Sequence, residues 1–170
     1  GKPQDYRILA LLPSYLERSG SSLIYMVDDL IKISNHPESG FFLDNLYELR
    51  GILSKEPTAK TLLIGVSFAL LDFIEEGKLS LKNTIVMETG GMKGRRKEIT
   101  REELHKELNE GFGVASIHSE YGMTELLSQA YSDGSGIFNT PPWMKVLIRD
   151  PNDPLTIMTG EKSGGLNVID

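Results

Sequence analysis

Short apolar runs alternate with amphipathic stretches from Arg7 to Ser132, the pattern of strand–helix–strand units around a parallel sheet. A first strand is expected over about Arg7–Leu12, ending at Pro13-Ser14. Ser21 or Ser22 then caps a helix to about Ser34. Its Leu23, Met26, Val27, Leu30 and Ile31 fall at helical spacing, while Asp28, Asp29 and Lys32 face away. Gly40-Phe41-Phe42-Leu43 reads as a brief second strand. Asp44 is the expected cap of a helix that turns Leu46, Leu49 and Leu53 inward and closes at Pro57. Thr61–Val66 is a buried strand, Ser67 opens the next helix, and Gly77 caps its end. Thr84–Met87 is the fourth strand. Thr100-Arg101-Glu102-Glu103 has the form of a capping box. It opens a helix with Leu104 and Leu108 inward, which Gly111 closes. Val114–Ile117 is the fifth strand and Leu126–Tyr131 a short helix.

From Gly134 onward the pattern changes. The turn pairs Asp133-Gly134, Asp150-Pro151, Asp153-Pro154 and Gly164-Gly165 separate the apolar runs Met144–Ile148, Leu155–Met158 and Leu166–Ile169. Such spacing predicts β-hairpins. The fold class is therefore α/β: a mostly parallel, helix-covered sheet followed by β-hairpins. One partial domain is expected over 1–170, with an alternating core at 1–132 and a β-rich extension at 133–170. An apolar run starts close to Gly1, and the chain stops at Val168-Ile169-Asp170 inside a strand-like run, so a piece of a longer protein is expected.

Composition narrows the function. The 170 residues are 39% hydrophobic and 25% charged, which suits a globular domain rather than a disordered one. A net charge of −6 argues against a nucleic-acid partner, which calls for a basic excess. There are no cysteines, so thiolate zinc sites and cysteine nucleophiles are absent from this stretch. His36, His105 and His118 are too dispersed in sequence to suggest a transition-metal site. No apolar leader opens the chain, and no run approaches the roughly 18 residues of a membrane span. A cytoplasmic protein without a membrane span is the expectation.

In open parallel sheets ligands bind at the carboxyl edge, where strands pass into helices. The turns predicted there are Pro13-Ser14-Tyr15, Gly65-Val66-Ser67, Thr89-Gly90-Gly91-Met92 and Tyr121-Gly122-Met123-Thr124-Glu125. The last is the richest in chemistry. An aromatic face suits a planar base, Gly122 permits a sharp turn, Thr124 offers a hydroxyl to phosphate, and Glu125 offers a hard carboxylate to Mg²⁺. A strand-to-helix turn with an incidental acidic residue is the bland alternative.

Tyr121-Gly122-Met123-Thr124-Glu125 also resembles the Tyr-Gly-X-Thr-Glu signature of adenylate-forming enzymes, the superfamily of acyl-CoA synthetases, luciferases and peptide-synthetase adenylation domains. Thr89-Gly90-Gly91-Met92 resembles their glycine-rich adenine loop. Thr140–Val146 and Gly160–Leu166 resemble the β-rich stretch after the signature. Three stretches resemble the acyl-protein synthetase family, the long-chain-fatty-acid luciferin-component ligases: Ala10–Arg18, Glu88–Arg95 and His118–Ala130. The resemblance places the chain in the large N-terminal domain of such an enzyme. It implies ATP-dependent activation of a carboxylic acid, a fatty acid in that family, as acyl-AMP. Transfer to a thiol acceptor, a protein cysteine or coenzyme A, then follows. ATP and Mg²⁺ are the implied cofactors. The resemblance makes Thr89, Gly90, Gly91, Met92, Tyr121, Gly122, Met123 and Thr124 nucleotide contacts, with Tyr121 on adenine and Thr124 at the α-phosphate. Glu125 serves the metal, and Thr124 and Glu125 are the catalytic pair.

The chain departs from that pattern in several places. It has no Ser/Thr/Gly-rich phosphate loop before Thr89. The ribose-binding Asp element is expected beyond Asp170, and Thr159-Gly160-Glu161 is not assigned to it. The catalytic lysine and acceptor cysteine are not in this stretch, so the chain alone is expected to be inactive. Two alternatives stay open: an aryl- or phenylacetate-type acyl-CoA ligase, and a non-catalytic nucleotide-binding or interaction module on the same fold. His118 reads either as a residue lining or backing the acyl or nucleotide pocket, or as a satisfied core histidine. Lys93, Arg95, Arg96 and Lys97 read as a phosphate contact or a solvated loop. Helix capping accounts for Ser14 and Ser67 as well as ligand binding does.

Overall fold

Burial on both faces makes the apolar runs into central strands. In β1 (Tyr6–Leu11) every residue after Tyr6 is buried, and β3 (Lys60–Val66) is buried along most of its length. The computed structural model describes residues 1–12, 21–55, 59–92, 94–160 and 163–170. With β2 (Gly40–Phe41), β4 (Thr84–Thr89) and β5 (Ile117–Tyr121), these strands run parallel. A sixth, β6 (Ala130–Ser132), returns antiparallel to β5, giving the order β2-β1-β3-β4-β5-β6. The connections are α1 (Ser22–Ser34), α2 (Leu46–Leu53), α3 (Ser67–Glu75) and α4 (Arg101–Phe112). This is the mostly parallel α/β sheet that the alternating pattern predicts.

Side-chain alternation assigns the helices to faces. Leu30 of α1 shares an apolar cavity with Ile8, Leu62 and Ile85 on one face. On the other face Arg50 of α2 donates to the carbonyls of Phe73 and Gly77 at the end of α3. Helices α3 and α4 approach closely at Gly111, where an added Cβ would lie 2.5 Å from Ile74 Cδ1. Phe73 and Phe112 stack beside this contact, ring centroids 6.0 Å apart.

Several expected boundaries move, each for a local reason. Asn45, not Asp44, caps α2: its Oδ1 accepts from the Glu48 amide at 3.2 Å. Pro57 lies outside the described residues. Val66 is the N-cap of α3 without a side-chain bond, so Ser67 is the first helical residue rather than the cap. Helix α3 ends at Glu75 with Glu76 as its cap, one residue before Gly77. The Thr100–Glu103 capping box forms as expected. Gly111 does not end α4, because Gly113 takes the left-handed conformation at φ 66° and closes it. That turn delays β5 to Ile117, and the strand then runs through His118-Ser119-Glu120-Tyr121. No helix forms over Leu126–Tyr131. Ala130 and Ser132 are buried and Tyr131 is exposed between them, a strand alternation that completes a β5–β6 hairpin.

In the C-terminal extension β7 (Lys145–Arg149) pairs antiparallel with β8 (Gly165–Ile169). The run Leu155–Met158 makes a single bridge, Arg149 to Ile157, instead of a strand. No helix among the described residues is long and apolar enough to cross a membrane.

Two glycines test the packing. At Gly51 in α2 nothing lies within 4 Å of the place an alanine methyl would take, whereas Gly111 abuts Ile74. Gly51→Ala is expected to stabilise the fold by up to about 1 kcal/mol through helix propensity. Gly111→Ala is expected to destabilise it by about 1–2 kcal/mol, because overpacking outweighs the same propensity gain. Thermal unfolding of both variants checks this, and a rise in Tm for Gly111→Ala would contradict the α3–α4 contact.

Candidate functional site

The strand register brings the predicted turns together. Gly65 pairs with Glu88 and Glu88 with Ser119, while Val66 pairs with Thr89 and Thr89 with Glu120. Strands β3, β4 and β5 therefore end level, and the turns that follow them share one edge. Pro13-Ser14-Tyr15 lies outside the described residues.

Below that edge, on the α3–α4 face, is a buried polar cluster. Glu88 is only 6% exposed. Its carboxylate accepts from Ser67 Oγ at 3.2 Å, with His105 Nε2 at 3.6 Å and Arg101 Nε at 3.9 Å. Ser119 Oγ is 3.2 Å from the same His105 nitrogen. Both Ser119 and Glu88 approach one imidazole nitrogen, so no relay runs through the ring, and Ser119 is fully buried. The cluster lacks a nucleophile's geometry and instead binds α3, α4, β4 and β5 to one point.

The opposite face carries a second pair. Thr89 Oγ1 donates to Glu120 Oε2 across β4 and β5. The Glu120 carboxylate tucks under Gly122, where a Cβ would meet Oε1 at 2.7 Å. Burial pushes the Glu120 carboxyl above its usual range; the Thr89 bond offsets part of this, and the charge of Glu88 adds to it. Tyr131 stands opposite Glu120 in β6, and its phenol is also raised by burial and by Glu120.

The predicted residues divide into two groups. Gly90, Gly91, Gly122, Met123, Thr124 and Glu125 are exposed at the edge, and Gly90 takes a left-handed φ of 72°. Thr89 and Met92 are buried, each 2% exposed. The Thr89 hydroxyl is committed to Glu120, and Met92 packs into the core while its carbonyl accepts from Arg95 N. Their side chains are thus structural, which leaves the glycine backbone as the part of the loop open to a ligand. Tyr121 is half-buried, its ring edge-to-face with Phe138 at 6.1 Å, and Phe138 in turn carries the Arg101 guanidinium at 4.8 Å.

His118 does not join them. Three residues before Tyr121 in a strand, it projects from the other face and lines the apolar cavity with Met87, Ile85 and Leu62. Two members of the basic run are engaged within the fold, while Lys97 is exposed. Arg96 bonds both Asp72 and Glu75 on α3, and Arg95 lies over Phe68 at 4.8 Å. Lys93 is outside the described residues. Ser67 serves Glu88, not the helix cap.

Glu88 and Glu120 are the residues that pattern reading missed. The available signal was a carboxylate inside each of two strand-like runs, Thr84–Thr89 and Ile117–Tyr121, where only partnered charge is tolerated.

The raised pKa of Glu120 makes a test. An acid that binds protons more tightly when folded loses stabilisation as pH rises from its unfolded value, near 4.5, through the raised folded one. The wild type is expected to lose stability relative to Glu120→Gln across that window and to be no more stable than the variant at neutral pH. Chemical denaturation of both proteins from pH 4 to 8 checks this. Parallel stability curves would contradict the burial of an ionisable Glu120.

No protein-family model, curated protein or solved structure matches this chain.

Proposed function

We propose that this chain is the nucleotide-binding part of an ATP-dependent ligase that activates a carboxylic acid as an acyl-adenylate before transfer to a thiol. The observation that carries the reading is the level ending of β4 and β5, through which Gly90-Gly91 and Tyr121–Glu125 become neighbours at the carboxyl edge. A glycine backbone beside an aromatic ring suits a purine, and the adjacent hydroxyl and carboxylate suit its phosphates and metal.

The donor that this reading offers to Mg²⁺ is the single carboxylate of Glu125. Among the described residues there is no group of three or more carboxylate, His or Cys side chains able to hold a metal. Glu125 is exposed, as befits a metal held by one carboxylate together with phosphate oxygens and water. Glu125 would hold Mg²⁺ there, and the ion would supply charge neutralisation at the phosphates. Thr124, exposed beside it, would hold the α-phosphate for in-line attack by the substrate carboxylate. Adenylation needs mainly such positioning and electrostatic stabilisation. The family-level reading, a fatty-acid-activating acyl-protein synthetase, rests on the sequence resemblance alone.

The test uses a polypeptide that joins this segment to a phosphate loop and catalytic lysine. Carboxylate-dependent ATP–pyrophosphate exchange is expected to fall about 10²-fold in Glu125→Gln and about tenfold in Thr124→Val. Circular dichroism should be unchanged in both, since both side chains are exposed. Exchange at the wild-type rate in Glu125→Gln would refute the metal assignment. Product analysis separates the acceptors: self-acylation indicates a protein thiol, acyl-CoA the alternative ligase, and no exchange in the intact wild type a non-catalytic module.

A further inference from the structure

The β4–β5 ladder stops at the pair Thr89 and Glu120. Beyond it, among the described residues, no backbone hydrogen bond joins the glycine loop to the Tyr121–Glu125 turn. The loop has little of its own to hold it in place. Gly90 and Gly91 carry no side chains, and Gly90 takes a left-handed φ of 72°. The residues on either side fix it instead. Met92 packs into the core, and Thr89 is buried with its hydroxyl on Glu120 Oε2.

From the side of β5 the contact is equally isolated. Among the described residues no cation pairs with Glu120, and Thr89 is the one side chain that hydrogen-bonds it. Its other oxygen fills the space beneath Gly122, 2.7 Å from where a Cβ there would lie. A single carboxylate therefore touches the root of the glycine loop and the second residue of the neighbouring turn. The last lateral tie between the two turns is made by side chains, and it bears on both. Half-buried surroundings reduce the competition from water, so such a tie holds its geometry better than an exposed one.

We propose that Glu120 is a positioning residue: through Thr89 it sets the gap between the glycine loop and the Tyr121–Glu125 turn, and with it the affinity of this edge for a nucleotide. The proposal rests on the nucleotide reading of the carboxyl edge. It gives Glu120 no contact with the ligand, so what counts is an acceptor for the Thr89 hydroxyl rather than a negative charge. Glu120→Gln keeps that acceptor and Thr89→Ser keeps the donor. Glu120→Ala and Thr89→Val each remove one half of the bond, and the second keeps the shape of a buried side chain.

The experiment titrates Mg²⁺-ATP into the 170-residue chain, well below the unfolding temperature of each variant, and follows the amides of Gly90, Gly91 and 121–125. Thr89→Val and Glu120→Ala are each expected to raise the dissociation constant about threefold to tenfold, the range that one lost hydrogen bond spans. The double variant should bind no more weakly than either single one, since both changes remove the same contact. Thr89→Ser and Glu120→Gln should recover most of the loss. A pair that serves stability alone would lower the unfolding temperature and leave the dissociation constant of the folded chain unchanged, and that result would overturn the proposal. Glu120→Gln binding as weakly as Glu120→Ala would overturn it too, because the charge would then act on the ligand directly. Losses that multiply in the double variant would do the same. No ATP-dependent shift in the wild type would overturn the nucleotide reading and this proposal together, whereas wild-type binding that every variant keeps would overturn this proposal alone.

Discussion

A buried carboxylate needs partners, and the partners of Glu88 organise the edge of this sheet. Removing a carboxylate from water costs several kcal/mol unless hydrogen bonds and opposite charge offset it. Ser67 and Arg101 supply them from the first turns of α3 and α4, where the helix dipoles also favour negative charge, and His105 does so from one turn further along α4. Ser119 ties β5 to the same point through His105. Two helix starts and two strand ends are thus held at one depth. The turns beyond them emerge side by side because of that constraint.

Polar side chains just under the edge are spent on holding it together, and those on its rim are left open. Thr89 and Glu120 bind one another, and Gly122 has no side chain because the Glu120 carboxylate occupies the space. Gly91, Thr124 and Glu125 project beyond this layer into solvent. A rigid inner layer beneath an accessible rim is the arrangement that preorganised binding requires. Arg96 serves the same end from outside, fastening the loop after the glycines to α3 through Asp72 and Glu75.

Much of the fold was legible in the sequence because apolar periodicity reports burial directly. The runs at Arg7–Leu12 and Thr61–Val66 became central strands, and Thr100–Glu103 became a capping box, each with a local cause readable from residue type. Errors arose where tertiary context overrode local pattern. Polar residues at 118–121 hid most of β5, since the buried Ser119 and half-buried Glu120 are tolerated only through distant partners, His105 and Thr89. The helix expected over Leu126–Tyr131 does not form: Leu127 is 87% exposed, and β6 follows from the small residues that flank Tyr131. At the edge, Gly90, Gly91, Gly122, Thr124 and Glu125 are exposed, as residue types common in turns lead one to expect. The inner commitments of Thr89, Met92 and Ser67 were not legible, because they depend on distant pairs such as Ser67 with Glu88.

The central claim is that the glycine loop and the Tyr121–Glu125 turn form one nucleotide-binding edge. Amide line-broadening by Mn²⁺-ATP tests it most directly, because paramagnetic relaxation reports proximity even when binding is weak. The account predicts selective broadening at Gly90, Gly91 and 122–125 together, with the amides of Thr61 and Thr84 at the amino ends of their strands left sharp. Sharp signals at either turn while the other broadens, or at both while the rest of the chain responds, would contradict it.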